Sequence, residues 1–213
     1  MIFEKQSYQI TRFDPELDLR EMCDGARLCY KSKELTDRTE QEKFISRLLK
    51  SNPPHESPIE HSCLSVKFVT NRGITHELVR HRLISPSQES TRYCNYSNDR
   101  FDNNVTFIID RVAIGRITRY LWEEQCRECE REYFERLALG CKPEEARGVL
   151  NNDVKSEIKV TANYREWMHL FRLRCDKHAH YQMRELTTPL LKELSSELPL
   201  IFGPILEQVK KED

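Results

Sequence analysis

The chain has 213 residues, 34 Lys and Arg against 35 Asp and Glu, a formal net charge of -1, and 38% hydrophobic residues. That length favours one domain with a full core, and the balanced charge excludes bulk attraction to nucleic acid or anionic membrane, so any basic site must be local. No apolar run approaches a membrane span, and Met1 to Ile10 carries Glu4, Lys5 and Gln6 where an export signal would be apolar, so the cytoplasm is the expected compartment.

Asp14-Pro15 pairs an N-cap carboxylate with proline at the first helical position and predicts a helix to about Tyr30. A second helix is expected from Asp37, with Phe44, Ile45, Leu48 and Leu49 at helical spacing, ended by Pro53-Pro54. His55 to His61 reads as a loop. Leu64, Val66 and Phe68 alternate with Ser65 and Lys67, the period of a strand. Asn71-Arg72-Gly73 reads as a turn, and Thr75 to about Arg82 as a short helix. Ser85 to Asn104 is polar and aperiodic, and a loop of that length inside a domain is uncommon and is usually functional or disordered. Val105 to Ile109 suggests a short strand. A long helix rich in Glu and Arg is expected over about Arg111 to Leu139, closed by Gly140, with a short helix from Pro143 to about Leu150. Ile158, Val160 and Ala162 mark another strand. Helices are expected over Tyr164 to Cys175 and most of Lys177 to Leu198, with Pro189 a start or a kink. The sum is one α+β domain across residues 1–213, mostly helical around a small antiparallel sheet.

The six glycines include no G-x-G-x-x-G and no phosphate-binding loop of the P-loop kind, so a nucleotide would be held by side chains and helix ends. The eight cysteines are scattered through regular segments and read as reduced thiols. Cys126-x-x-Cys129 lies in a charged helical stretch without a second pair, a poor metal or redox site. His76-Glu77 and His81 resemble a zinc-protease motif with the wrong spacing. Five residues apart on a helix is about 140°, so the two histidines cannot share one ion. His178 and His180 also diverge on a helix, and no metal is expected.

Arg80-His81-Arg82 is the densest cationic feature. Alone it reads as a solvated basic turn; as part of a helix its three side chains would diverge by about 100° each and grip separate parts of a large anion. Ser85, Ser87, Gln88, Ser90, Thr91 and Arg92 follow at once and add the hydroxyl, amide and guanidinium donors a phosphate needs. A second anomaly is Arg174, which falls on the apolar face set by Trp167, Leu170 and Phe171. Arginine is rarely buried without a partner. Its partner is either an internal carboxylate such as Asp176 or Glu185, or an anionic or carbonyl-rich ligand. Arg165, His169 and Arg172 form a polar stripe beside it, a solvated face or a second gripping surface. Cys94 and Cys175 are thiols for which bland roles are expected.

Arg80-His81-Arg82, seven residues, then Ser90 resembles the R-H-R-x7-S motif of the flavin-dependent thymidylate synthases. His55-Glu56-Ser57-Pro58-Ile59-Glu60-His61 is similar to that family's H-x-[TS]-P-x-E-H segment, and Ser87 to Tyr93 to its S-Q-E-S-x-R-Y form. Ala146-Arg147 before Val149-Leu150, and Asn163-Tyr164-Arg165-Glu166-Trp167 with Leu173-Arg174 and His178-Ala179-His180, match two more segments in order. The resemblance spans about residues 14 to 205.

The resemblance implies reductive methylation of dUMP to dTMP, with 5,10-methylenetetrahydrofolate as carbon donor and NADPH reducing bound FAD. It implies a homotetramer with active sites between subunits, and no cysteine nucleophile. By the family's pattern, dUMP contacts fall on Glu77, Arg80, Gln88, Glu89, Ser90, Thr91, Arg92, Arg147 and Arg174. FAD contacts fall on Ser57, Arg80, His81, Arg82, Gln88, Asn163, Tyr164, Arg165 and His169. The reacting centre would draw on Arg174, His55 and Ser90. Arg174 would stabilise charge developing on the uracil ring, Ser90 and Arg92 would hold the phosphate, and His55 would lie near the flavin and the folate or nicotinamide. Glu77 and His169 stand where some members carry Gln and Asn, and Pro86 is an uncommon filler. Two other readings use the same residues. One is a non-catalytic nucleotide- or RNA-binding module built on the Arg80 to Arg92 basic loop, which predicts no flavin and no NADPH oxidation. The other is a member that binds without turnover, against which His55, Arg80, Arg92, Arg147 and Arg174 are all retained.

Overall fold

The structure is a computed structural model that describes residues 1–111, 115 and 118–212. The chain divides into two compact units: Met1–Ser7, Phe68–Arg80 and Pro86–Lys159 form unit 1, and Tyr8–Lys67, His81–Ser85 and Val160–Asp213 form unit 2. The strands are β1 (Ile2–Glu4), β2 (Ser7–Arg12), β3 (Leu64–Asn71), β4 (Ser85–Gln88), β5 (Thr106–Ile108) and β6 (Lys155–Ala162). Four of them form a sheet in the order β2-β3-β6-β4, and β1 and β5 form a separate pair. That pair is parallel, with Ile2 beside Thr106 and Glu4 beside Ile108.

Unit 1 holds α3 (Arg72–Leu78), α4 (Arg119–Ala138) and α5 (Pro143–Ala146), followed by a 3-10 turn at Arg147–Val149. Helix α4 buries Trp122, Cys126 and Tyr133, with Cys129 and Leu137 half-buried on the same stripe, a helical spacing of core positions. That spacing accounts for Cys126-x-x-Cys129: both thiols pack in the core with Phe107, Ala146 and Val154. Burial pushes the Cys126 thiol up to about 12 and raises that of Cys129, so neither is a ready thiolate. The opposite face carries pairs such as Arg119 Nε to Glu123 at 2.6 Å and Arg131 to Glu135 at 2.7 Å, a self-neutralising surface. The expected helix from Arg111 is described from Arg119; residues 112–114, 116 and 117 lie outside the described residues. Gly140 closes it at φ +91°, a left-handed conformation that favours glycine.

Unit 2 holds α1 (Pro15–Leu28), α2 (Arg38–Leu49), a 3-10 turn at Ser57–His61, α6 (Tyr164–Arg174), α7 (Tyr181–Glu197) and α8 (Pro199–Glu212). Asp14 accepts from Leu17 N–H at 3.0 Å and Asp37 from Glu40 N–H at 3.0 Å, so both helices start where their side-chain caps dictate. Trp167, Leu170 and Phe171 of α6 are fully buried. Trp167 Nε1 donates to Leu64 O at 3.0 Å, and Phe171 meets Phe202 of α8 with ring centroids 6.0 Å apart. Ser65 and Thr161 hydroxyls meet at 2.8 Å, which satisfies Ser65 at a position buried despite its polarity. No helix among the described residues is long and apolar enough to cross a membrane.

Candidate functional site

In unit 1 the motif residues follow α3. Asn71 caps that helix, its Oδ1 accepting from Ile74 N–H at 2.9 Å, so the expected turn is the helix start. The helix ends at Leu78. Arg80 therefore lies past the helix, and Arg80-His81-Arg82 is not helical, so the expected divergence of about 100° per residue does not apply.

The segment Gln88 to Arg92 is tied down largely by its own side chains. Gln88 Nε2 donates to Thr75 Oγ1 at 2.7 Å and to Ser156 Oγ at 3.0 Å, both on buried residues. These bonds use both amide hydrogens and fix which end of the amide is the acceptor. Glu89 Oε1 accepts from Tyr96 OH at 2.9 Å, Glu89 Oε2 accepts from Glu157 N–H at 3.3 Å, and Glu89 N–H donates to Glu157 O at 2.8 Å. Glu89, expected to contact nucleotide, thus spends its carboxylate inside the protein. Burial and the neighbouring Glu89 carboxylate hold the Tyr96 phenol far above its usual range, so it is always a donor.

Around that anchored segment the donors gather. Arg147 Nη1 donates to the buried Thr91 hydroxyl at 3.2 Å. Arg92 N–H donates to Ser90 Oγ at 3.3 Å, and the Arg92 guanidinium meets Glu144 at 2.7 Å. Glu144 is held below the usual carboxylate range by Arg92. One short element, α5 with its 3-10 turn, thus carries both the acid that occupies Arg92 and the Arg147 beside it. Ser90, Arg92 and Arg147 thus bring two guanidinium groups and a hydroxyl to one segment, with Glu144 as the partner of Arg92. The Ser90 Oγ is an acceptor here, from Arg92 N–H. Cys94 is pushed up by burial. Glu77 is half-buried on α3.

In unit 2 His55, Ser57, Arg82, Arg165 and His169 are exposed. His55 N–H donates to Leu48 O at 3.0 Å, which fixes it past the end of α2, and its side chain lines a cavity of about 940 Å³. Arg27, Lys33, Lys43 and Arg47 line the same cavity, with the Phe44 ring. Arg165 pairs with Glu56 at 3.3 Å and with Glu60. Two of the expected flavin contacts have side-chain groups engaged within the chain. Tyr164 is fully buried and donates its phenol to the buried Asp18, so its side chain belongs to the core. Asn163 spends its side-chain oxygen capping α6, accepting from Glu166 N–H at 2.9 Å.

Arg174 is half-buried at the end of α6. Its Nε donates to His81 Nε2 at 2.9 Å, a partner that spacing did not suggest. His81 is buried, its Nδ1 lies 3.5 Å from Glu166 Oε1, and the His169 ring stands edge-on 6.0 Å away. Burial first, then Arg174 and His169, lowers the His81 pKa to about 4, and burial raises that of Glu166. His81 is therefore neutral near pH 7, and accepting at Nε2 places its proton on Nδ1, toward Glu166. His81, Glu166 and His169 are grouped closely enough to hold a metal ion. The Arg174 bond argues against one: a metal on Nδ1 would move the proton to Nε2, against the guanidinium N–H. Glu166 was hidden from sequence reasoning because its spacing from Asn163 is that of a helix cap. His178 pairs with Asp176 at 2.8 Å on the surface, and His180 caps α7 without a side-chain bond.

The chain is thus a mostly helical α+β protein with arginines and hydroxyls gathered on an anchored segment of unit 1 and a cavity in unit 2 lined by Tyr30, Leu35, Phe44 and Leu48 as well as by cations. A family model described as thymidylate synthase complementing protein matches residues 16–200. A flavin-dependent thymidylate synthase of Geobacter sulfurreducens is 32% identical over 185 residues, covering 84% of this chain and 78% of that protein. One of Pyrococcus abyssi is 34% identical over 158 residues, 73% of this chain and 63% of that protein. Among solved structures, a UMP/dUMP methylase, PolB, of Streptomyces cacaoi bound with 5-bromo-dUMP matches with TM-score 0.80 at 19% identity, covering 95% of this chain and 96% of that one. Thymidylate synthase X of Helicobacter pylori with FAD and dUMP matches with TM-score 0.73 at 21% identity, covering 94% and 99%. The two structures share the fold. The chain belongs to the flavin-dependent thymidylate synthase family.

Proposed function

We propose that this chain catalyses reductive methylation of dUMP to dTMP, taking its carbon from 5,10-methylenetetrahydrofolate and its electrons from NADPH through bound FAD. The observation that carries the reading is the Ser90, Thr91, Arg92 and Arg147 cluster, anchored by Gln88 and Glu89, in a member of this family. Turning a transferred methylene into a methyl group needs two electrons. FAD, when bound, relays them from NADPH, so the folate leaves as tetrahydrofolate. The cavity beside His55, about 940 Å³ and lined by Tyr30, Leu35, Phe44 and Leu48, has the size and apolar character of a pocket for a ring system; Ser57, Arg82, Arg165 and His169 lie outside its lining.

The chain's own residues bind and orient. In unit 1 Ser90, Arg92 and Arg147 hold the dUMP phosphate, with Arg92 exchanging Glu144 for the ligand. Thr91 holds Arg147 in place, Gln88 offers its fixed amide oxygen, Glu89 contributes its backbone, and Glu77 and Arg80 complete the nucleotide contacts. In unit 2 Arg174 faces the uracil ring and stabilises the negative charge that develops there, and His55 orients the flavin and the folate or nicotinamide. Ser57, Arg82, Arg165 and His169 contact FAD, and Arg165 must exchange Glu56 and Glu60 for it. The 213 residues act as one synthase domain in a cytoplasmic homotetramer whose sites lie between subunits.

The test is a visible absorption spectrum of the purified protein with FAD, then NADPH with and without dUMP, followed by chromatography for dTMP after adding methylenetetrahydrofolate. Flavin bands that bleach faster with dUMP, and dTMP formation, are expected. No flavin bands after reconstitution would leave the nucleotide-binding module. Size-exclusion chromatography with light scattering tests the tetramer, which a monomer would refute.

A further inference from the structure

We propose that His81 is a positioning residue for Arg174: its Nε2 holds the Nε edge of the guanidinium, and Glu166 holds the imidazole in the tautomer that can do so. The proposal rests on the reading that Arg174 faces the uracil ring. It departs from what the R-H-R motif suggests, in which all three residues face an anionic ligand.

Three observations carry it. The Arg174 Nε to His81 Nε2 distance of 2.9 Å is that of a direct hydrogen bond. Since a guanidinium cannot accept, His81 must, and its single proton is then on Nδ1. That proton faces Glu166 Oε1 at 3.5 Å, in a place where both side chains are buried. Carboxylate, imidazole and functional group in this order is the arrangement by which a buried acid fixes a histidine's tautomer and ring orientation. Finally, Glu166 and Arg174 lie in the first and last turns of α6, about 12 Å apart along its axis, so one ring from outside the helix meets side chains from both of its ends. The middle residue of the motif is buried while Arg80 and Arg82 on either side are exposed. The two arginines can serve a ligand; the histidine's ring nitrogens are engaged within the protein.

A planar guanidinium stabilises a developing charge only where its donors meet the atom that carries it. Of its groups, Nε is nearest the chain, and fixing it removes rotation about the last side-chain bonds. A displacement of about 1 Å in such a group costs up to about 100-fold in rate.

The experiment compares His81→Leu and His81→Phe, which lack ring nitrogens, with His81→Gln, whose carbonyl can accept from Arg174. Each is assayed as FAD-loaded enzyme for kcat, dUMP affinity by calorimetry, flavin content and melting temperature. The nitrogen-free variants should keep flavin stoichiometry and lose about 10- to 100-fold in kcat, and His81→Gln should recover to within a few-fold. In an Arg174→Ala background, His81→Leu should leave dUMP affinity unchanged, since nothing remains to be positioned. Loss of flavin from the nitrogen-free variants would overturn the proposal in favour of a direct flavin contact. So would equal losses in Leu and Gln variants, additive effects with Arg174→Ala, or folding of the Gln variant alone, which would make His81 a stability residue. If Arg174→Ala itself keeps wild-type turnover and dUMP affinity, the uracil-facing reading fails instead, which is a separate result.

Discussion

Removing one oxygen, in Tyr96→Phe, tests whether the phosphate segment works because it is anchored. The Tyr96 phenol is buried and donates to Glu89 Oε1 at 2.9 Å. A hydrogen bond to a charged acceptor contributes about 1.5–3 kcal/mol. Glu89 is half-buried, so water can replace part of the lost bond, and a loss of about 1–2 kcal/mol is expected. The void is small, because Phe keeps the ring contacts with Phe101 and Tyr133, whose centroids lie 5.1 and 5.7 Å away. Glu89 would retain its backbone bond to Glu157 at 2.8 Å and the weaker one at 3.3 Å. The segment should loosen without detaching, raising the dUMP KM by roughly 3- to 10-fold, with 1.4 kcal/mol being a factor of ten. Urea unfolding gives the stability change, and initial rates over a dUMP titration give KM and kcat. Unchanged stability would refute the energetic argument. A stability loss of the expected size with an unchanged KM would refute the claim that anchoring matters to the nucleotide.

Tyr164→Phe leaves the buried Asp18 carboxylate without its phenol donor and should cost about 2–3 kcal/mol in urea unfolding; flavin content measured by absorbance should stay the same, as it would not if the phenol touched FAD. Acid should weaken the fold through His81, which is faced by Arg174, Glu166 and His169: its pKa is lowered from 6.5 to about 4, so the unfolded chain takes up the proton first as pH falls. Its contribution is whole above about pH 6.5 and lost between there and about pH 4, on the order of 3 kcal/mol, and His81→Gln should flatten that part of the stability curve. Mild thiol alkylation should modify the exposed Cys29 ahead of Cys126 and Cys129, whose thiols burial holds protonated, and turnover should survive; loss of activity tracking Cys126 labelling would refute the core assignment.

Caps and periods made the helical half of the fold legible. Asp14, Asp37 and Gly140 act at the ends they predict. The signals that misled were residues with two uses. Asn71 before Gly73 reads as a turn and is a helix cap, which moves α3 back and leaves Arg80 beyond its end. Helix α8 is poorly legible in the sequence because Pro199, Gly203 and Pro204 argue against a helix. Pro199 starts it, and Ile201, Phe202, Ile205 and Val209 are buried. Strand β1 is only three residues long, and β2, though Tyr8 and Ile10 alternate with polar neighbours, is mostly exposed and weaker in apolar content than β3. The motif residues were all legible as positions, because their order is a matter of sequence alone. Their roles were not, because Tyr164 and His81 are engaged by Asp18 and Arg174, 146 and 93 residues away, and Glu89 by Tyr96 across an aperiodic loop.

The motif residues separate into two physical kinds. Gln88, Glu89, Thr91, Asn163, Tyr164 and His81 have groups engaged by other residues of the chain. Arg80, Arg82, Arg92, Arg147, Arg165, His55 and His169 are exposed, and most carry charge. A buried polar group left unmatched costs more than an exposed one gains, so the first kind determines the shape of the segments and tolerates little change whatever the ligand. The second kind can exchange partners at small cost, since an exposed ion pair contributes little. Arg92 against Glu144, and Arg165 against Glu56 and Glu60, therefore hold their cations ready in place. Arg174 combines both: its Nε belongs to the first kind, and its charge is what the second kind supplies. A neutral acceptor on the Nε edge adds no negative charge there, as a carboxylate in its place would, which is a physical reason for a histidine rather than an acid at position 81, behind the residue assigned to the uracil ring.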